Sequence, residues 1–160
     1  MLDGGAPCAV LFNYRGVNQS KWLPIFGHAW LGELVGRYMT LERDGCVCDC
    51  ETIIQYVRHG LGVKSDRLLL LGHSIGAAFS AQAAARAHPA VGVCNSRSFS
   101  SLSSVVEALA PVFFGLDGGS GASALLRRLG KLFVCVTGWE LDSAAAWHHL
   151  KGAHFVCGVL

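Results

Sequence analysis

Charge is scarce in this chain. Of its 160 residues only 15% are Asp, Glu, Lys or Arg, against 52% hydrophobic residues, and the mean hydropathy is +0.41. The net charge is +2 and no basic run is present, so nucleic-acid binding is not expected. An apolar run of the roughly 18–20 residues that a membrane-spanning helix needs is also missing. The opening Met-Leu-Asp-Gly-Gly-Ala-Pro has neither the basic start nor the apolar stretch of a secretory signal, which points to a cytoplasmic chain. A sequence this apolar without a spanning segment reads as an α/β fold. The strands of a parallel sheet with helices on both faces are continuous apolar runs. One domain over residues 1–160 accommodates this length.

Metal-site spacing is absent as well. The seven cysteines are an odd number, and with no secretion signal they read as free thiols in a reducing compartment. Cys8, Cys94, Cys135 and Cys157 lie in apolar runs, where cysteine acts as a small hydrophobe. Cys46-Val47-Cys48-Asp49-Cys50 alternates its cysteines rather than spacing them as a zinc knuckle, and no CxxC or HxxxH pair follows. On a helix, Cys46 and Cys50 share a face and Cys48 points away. No metal and no organic cofactor is expected. A dinucleotide site is equally unsupported, because Gly72-His73-Ser74-Ile75-Gly76 lacks the Gly-x-Gly-x-x-Gly spacing that lets backbone approach a pyrophosphate.

What is present is a strand and helix rhythm. Cys8–Tyr14 reads as a short buried strand, and Leu31–Met39 as a helical piece in a longer loop. Cys46–His59 carries apolar residues at helical spacing and is stopped by Gly60 and Gly62. Leu68–Leu71 is a second strand, Ile75–Ala87 an alanine-rich helix ended by His88-Pro89, and Val91–Cys94 a third strand. That order predicts a mostly parallel sheet. A further helix starts near Ser100–Ser104, with Ser103 or Ser104 as its cap, and Asp117–Ser123 reads as a loop tip. Ala124–Val136 fits a helix through Leu125, Leu129, Leu132, Phe133 and Val136, yet Leu132–Val136 alone also fits a strand. Ser143–Leu150 reads as helical and His154–Leu160 as an apolar run.

Four leucines run into Gly72-His73-Ser74-Ile75-Gly76, and alanines follow. Gly-x-Ser-x-Gly between a strand and a helix is the pattern of a nucleophile elbow. A sharp turn there lifts the Ser74 hydroxyl above the sheet edge at a helix N-terminus. It also aims the backbone N–H of Ile75 at an oxyanion forming on a bound acyl group.

The chain resembles part of an α/β-hydrolase, and the likeness covers most of residues 9–160. Leu11-Phe12-Asn13-Tyr14-Arg15-Gly16-Val17-Asn18-Gln19-Ser20 is similar to the family's segment after its fourth strand, and Val63–Leu68 to the approach to the elbow strand. Cys94-Asn95-Ser96-Arg97-Ser98-Phe99-Ser100-Ser101-Leu102 resembles the "DRSFSSL" stretch of a serine-hydrolase branch of chlamydial and Legionella-type proteins, with Ser96 at the usual Asp position. The resemblance implies a partial α/β-hydrolase fold whose N-terminal strands and C-terminal end are missing, a lid or cap over residues 103–130, and a small-molecule ester, thioester or amide as acyl substrate. Ser74 would be the catalytic serine, and Ile75 would supply an oxyanion donor. His73 would stand where the family often has a structural or pocket-lining histidine.

The rest of the machinery is thin. In this family the order is serine, acid, histidine, with a second oxyanion donor before the elbow. Glu140 or Asp142 is the acid if Leu132–Val136 is the strand before it, but His154 then follows too closely to be a good histidine. The alternative makes Trp139–Leu150 a returning helix and His154–Leu160 the next strand, so that acid and histidine both fall outside the chain. A truncated, catalytically inactive chain that binds partners is therefore the rival reading. A missing strand would also expose apolar strand edges, which invite self-association.

Overall fold

Leu69–His73 forms β1, and the chain turns at once into the helix α2, Ile75–Ala87. A computed structural model describes residues 7–15, 43–116 and 118–157. Before β1 lies α1, Arg43–Gln55, which widens into a π-helical turn over Tyr56–Gly60, and a short 3₁₀ turn over Ser65–Arg67. After α2 come β2, Gly92–Ser96, and the helices α3, Leu102–Phe113, and α4, Gly121–Val136. A short α5, Ser143–Trp147, and β3, His154–Cys157, complete the order. The expected helix at Leu31–Met39 lies outside the described residues.

The three strands form a parallel sheet in the order β1-β2-β3, with Leu70 opposite Val93 and Val93 opposite His154. An α/β architecture with a small parallel sheet follows. The core is built around α2. Ala78, Phe79 and Ala83 meet Cys46, Val47, Cys50 and Ile54 of α1, while Ala81 and Ala84 meet Val93 of β2, Ala146 of α5 and Leu150. Small side chains let α1, the sheet and α5 all approach one helix, and that close approach is what buries them.

Two sequence expectations need correction. Cys8–Tyr14 forms no β-ladder among the described residues, and Leu11 is 93% exposed. A strand needs a neighbouring edge, and this segment is instead tied down at its end. Tyr14 packs edge-on against Phe79 at 5.2 Å, and the Arg15 backbone N–H and guanidinium both bond Asp49 of α1, at 2.9 and 2.6 Å. Second, helices do not cover both faces of the sheet among the described residues. Leu70 and Val93 face α2, whereas Leu69, Leu71 and Phe155, which alternate with them, are exposed, Leu71 to 73%. Of the two readings open for Leu132–Val136, the helix is the one observed, as the last turn of α4. The alternative reading of the C-terminal part matches the observed order, since Trp139–Leu150 leads through α5 into a strand at His154.

The helix starts have clear causes. Ser101, two or three residues before the expected caps, has its side chain accept from the Ser104 N–H. Ser120 and Asp142 cap α4 and α5 in the same way, through the N–H groups of Ser123 and Ala145. Cys46 and Cys50 are buried on one face of α1 and Cys48 is exposed, as helical spacing requires. Burial holds the Cys46 thiol above its ordinary pKa and pushes that of Cys50 up to about 12.

Candidate functional site

Ser74 occupies the single residue between β1 and α2 with φ 53 and ψ −123. Those angles lie outside even the small left-handed helical region, so the position is strained. The strain has a visible cause. Gly72 and the start of α2 are pressed so close that a Cβ on Gly72 would sit 2.3 Å from the Ala77 Cα and 2.7 Å from the Gly76 carbonyl oxygen. The chain can double back this sharply only with glycine at 72. Gly76 is different: a Cβ there would meet just the Tyr14 hydroxyl, at 3.1 Å.

The turn is then fastened to the end of β2. The Ser74 N–H donates to the Ser96 carbonyl at 2.9 Å, and the Ser98 hydroxyl donates to the Ser74 carbonyl at 3.2 Å. Between those two contacts lies Arg97, at φ 49, so the two non-glycine residues of positive φ among the described residues stand side by side. Ser74, His73 and Arg97 are all exposed. The Ala77 N–H bonds back to the Ser74 carbonyl at 3.1 Å, while the N–H of Ile75 has no acceptor among the described residues, as expected for the first residue of a helix. An exposed hydroxyl thus stands beside a free N–H at the positive end of a helix dipole, the arrangement that favours charge developing on an acyl oxygen.

The other candidates lie elsewhere. His154 pairs across β2 with the level of Leu70, two strands over and four residues before Ser74, which is about 13 Å along the strand direction alone at roughly 3.3 Å per residue. Its ring stacks edge-on with Trp147 at 4.8 Å, and its Nδ1 lies 3.0 Å from the Gly152 carbonyl. Asp142 caps α5 with a 2.7 Å bond to the Ala145 N–H, and its carbonyl accepts from Gln82 at 2.9 Å. Gln82 is eight residues into the helix from Ser74, about 12 Å along it. The Glu140 carboxylate accepts from the Ser103 N–H at 3.3 Å. Both acids line an open groove of about 520 Å³ along the far half of α2, with Arg43, Gln82, Arg86 and His149. None of these side chains is brought to Ser74.

Among the described residues no three His, Cys, Asp or Glu side chains come together as a metal site, and no helix is long and apolar enough to cross a membrane. No family model, curated protein or solved structure matches the chain. The glycine and serine spacing singled out Ser74, but nothing in the residue types singled out Arg97, since arginine has no preference for positive φ. Only the stretch Ser96-Arg97-Ser98 marked the segment.

Proposed function

We propose that the chain is a serine hydrolase-like domain of the α/β-hydrolase type, with Ser74 as the group that takes up an acyl moiety from an ester, thioester or amide. The single observation that carries this reading is the Ser74 turn: φ 53 and ψ −123 in an exposed serine, directly between a parallel strand and a helix. Strain of this kind costs on the order of 1–3 kcal/mol and persists where the surroundings enforce it. Here the Gly72 approach and the two bonds to Ser96 and Ser98 do so. In the reaction the Ser74 Oγ bonds to the acyl carbon, the proton leaves to a base, and the oxyanion forms beside the Ile75 N–H. Collapse expels the leaving group, and water then releases the acyl group.

A second reading has its own observation. His154, Glu140 and Asp142 are held in other contacts, so among the described residues no imidazole–carboxylate pair stands beside Ser74. A serine without its base leaves at most about 10³–10⁴-fold catalysis over water. This favours feeble turnover or a non-catalytic binding role.

Fluorophosphonate labelling followed by peptide mapping tests the first reading. Slow labelling at Ser74, absent in Ser74→Ala, supports it. A folded chain whose labelling is the same in Ser74→Ala overturns it. Turnover of p-nitrophenyl butyrate is expected to be feeble, and robust turnover lost in both Ser74→Ala and His154→Ala would overturn the second reading.

A further inference from the structure

The helices α3 and α4 pack chiefly on each other and not on the sheet. Gly130 lies against Val106, so closely that a Cβ would come within 2.7 Å of it, and Ser123, Val134 and Pro111 are buried. The outward side of this hairpin is apolar. Leu125, Leu129, Leu132, Phe133 and Val136 recur at spacings of three and four, a single stripe along α4, and each is between 52% and 77% exposed. Leu109, Val112 and Phe113 at the end of α3, and Phe114 just past it, are apolar and exposed as well, Phe113 to 89%. The charges on α4 are all positive, Arg127, Arg128 and Lys131, with no acid in the helix, and α3 carries one acid, Glu107. Arg128 follows Leu125 by three and precedes Leu132 by four, so it borders the stripe.

We propose that this hairpin lies on an anionic lipid surface, with the α4 stripe and the Phe113-Phe114 tip entering the acyl boundary and the three cations attracted by the headgroups. A helix with large apolar residues on one face and Lys or Arg on the other is the kind that lies in a membrane interface. The charges of a half-immersed helix are no more than a helix diameter, about 10 Å, from the phosphates, which is about one Debye length at 0.1 M salt. Charge also decides against the main rival occupant. Two copies joined through this stripe would leave Arg127, Arg128 and Lys131 without a counter-charge on α4, which holds no acid, whereas anionic headgroups neutralise them. The inference is independent of any chemistry at Ser74.

The test is sedimentation of the full chain with vesicles of phosphatidylcholine alone or with about a third phosphatidylserine. Binding at least tenfold stronger to the anionic vesicles is expected, weakening as salt is raised. Substituting all three cations, Arg127→Ser with Arg128→Ser and Lys131→Ser, is expected to remove that preference. Leu132→Asp is expected to weaken binding to both vesicles by tenfold or more. Arg128, Lys131 and Leu132 are exposed and Arg127 is half-buried, and circular dichroism and a urea melt check that the variants keep the wild-type fold. Phe113→Ser, at the hairpin tip, is a second apolar variant should Leu132→Asp unfold. Equal binding to the two vesicles, no binding by the folded chain, or an oligomer dissolved by Leu132→Asp without vesicle binding would each overturn the proposal.

Discussion

The helix after Ser74 and the helix that ends the hairpin treat apolar residues in opposite ways. In α2, eight of the thirteen residues are buried, and most of those are alanine. In α4, which carries leucine, phenylalanine and valine, two of sixteen are buried, and one of those is a serine. Burial therefore follows what surrounds a helix more than how hydrophobic its side chains are. Alanine lets α1, the sheet and α5 come close enough to enclose α2 on several sides. The longer side chains of α4 reach into space where no described element stands. The first helix gains its stability from inside the molecule, and the larger side chains of the second are covered by no described element.

The harshest test of that contrast uses two glycines. Gly72→Ala places a Cβ among backbone atoms of α2 that cannot move without taking the Ser74 turn with them. The expected loss is at or beyond the ~3 kcal/mol at the upper end of the usual overpacking cost, enough to leave the chain partly unfolded. Gly130→Ala meets side-chain atoms alone, a Val106 methyl group at 2.7 Å and the Ala110 Cβ at 4.0 Å, and the better helix propensity of alanine, about 1 kcal/mol, offsets the crowding. Its urea midpoint is expected to stay within about 1 kcal/mol of wild type. Equal effects at the two sites would mean that the core and the hairpin are not differently packed.

A second pair sharpens the comparison at apolar positions. Ile54→Ala removes a side chain that is 1% exposed between α1 and α2 and is expected to cost 2–5 kcal/mol. Leu132→Ala, on the stripe, is expected to change stability by no more than about 0.5 kcal/mol in the absence of lipid. Urea melts of the two variants decide. A large loss from Leu132→Ala would show that α4 packs inward.

Much of this organisation was legible in the sequence. The run Leu68–Leu71, the Gly-x-Ser-x-Gly turn and the alanines after it placed β1 and α2 within two residues, because apolar runs, glycine pairs and helix propensity all act locally. The return through α5 to a strand at His154 was legible as one of two alternatives. What failed depended on partners distant in sequence. Cys8–Tyr14 has strand composition but no described edge to pair with, and the two-sided covering of the sheet was inferred from apolar strands whose outer residues, Leu69 and Leu71, are exposed. The strip of exposed leucines on α4 has the same periodicity as a buried face, so periodicity alone could not tell inside from outside. The candidate acids Glu140 and Asp142 hold helix starts, a contact that their place in the sequence did not mark.

Asp142 separates those two roles. Its carboxylate caps α5, so Asp142→Ala is expected to cost about 1 kcal/mol, while Asp142→Asn, which keeps an accepting oxygen, restores most of it. Fluorophosphonate labelling at Ser74 is expected to be unchanged in both folded variants. If Asp142 oriented a catalytic histidine, Asp142→Asn would instead slow the reaction about 10⁴-fold with little effect on stability.

The smallest effect expected is a pH dependence confined to the core. His88, just past the end of α2, is 8% exposed, and its Nδ1 lies 2.8 Å from the Arg58 guanidinium. Arginine only donates, so Nδ1 accepts and the ring proton sits on Nε2, which is buried without a partner. Burial lowers the His88 pKa, the positive charges of Arg58 and His59 lower it further, and Glu51 opposes them. The folded state thus prefers the neutral ring. Its contribution to stability is complete above the ordinary histidine value of about 6.5 and is lost as pH falls through the lower folded-state value. Urea melts of wild type and His88→Gln between about pH 7.5 and 5 isolate this term, because the other six histidines are common to both chains. The wild type is expected to lose more stability on acidification than the variant. Two curves that fall in parallel would mean that His88 carries its proton as readily in the folded chain as in the unfolded one.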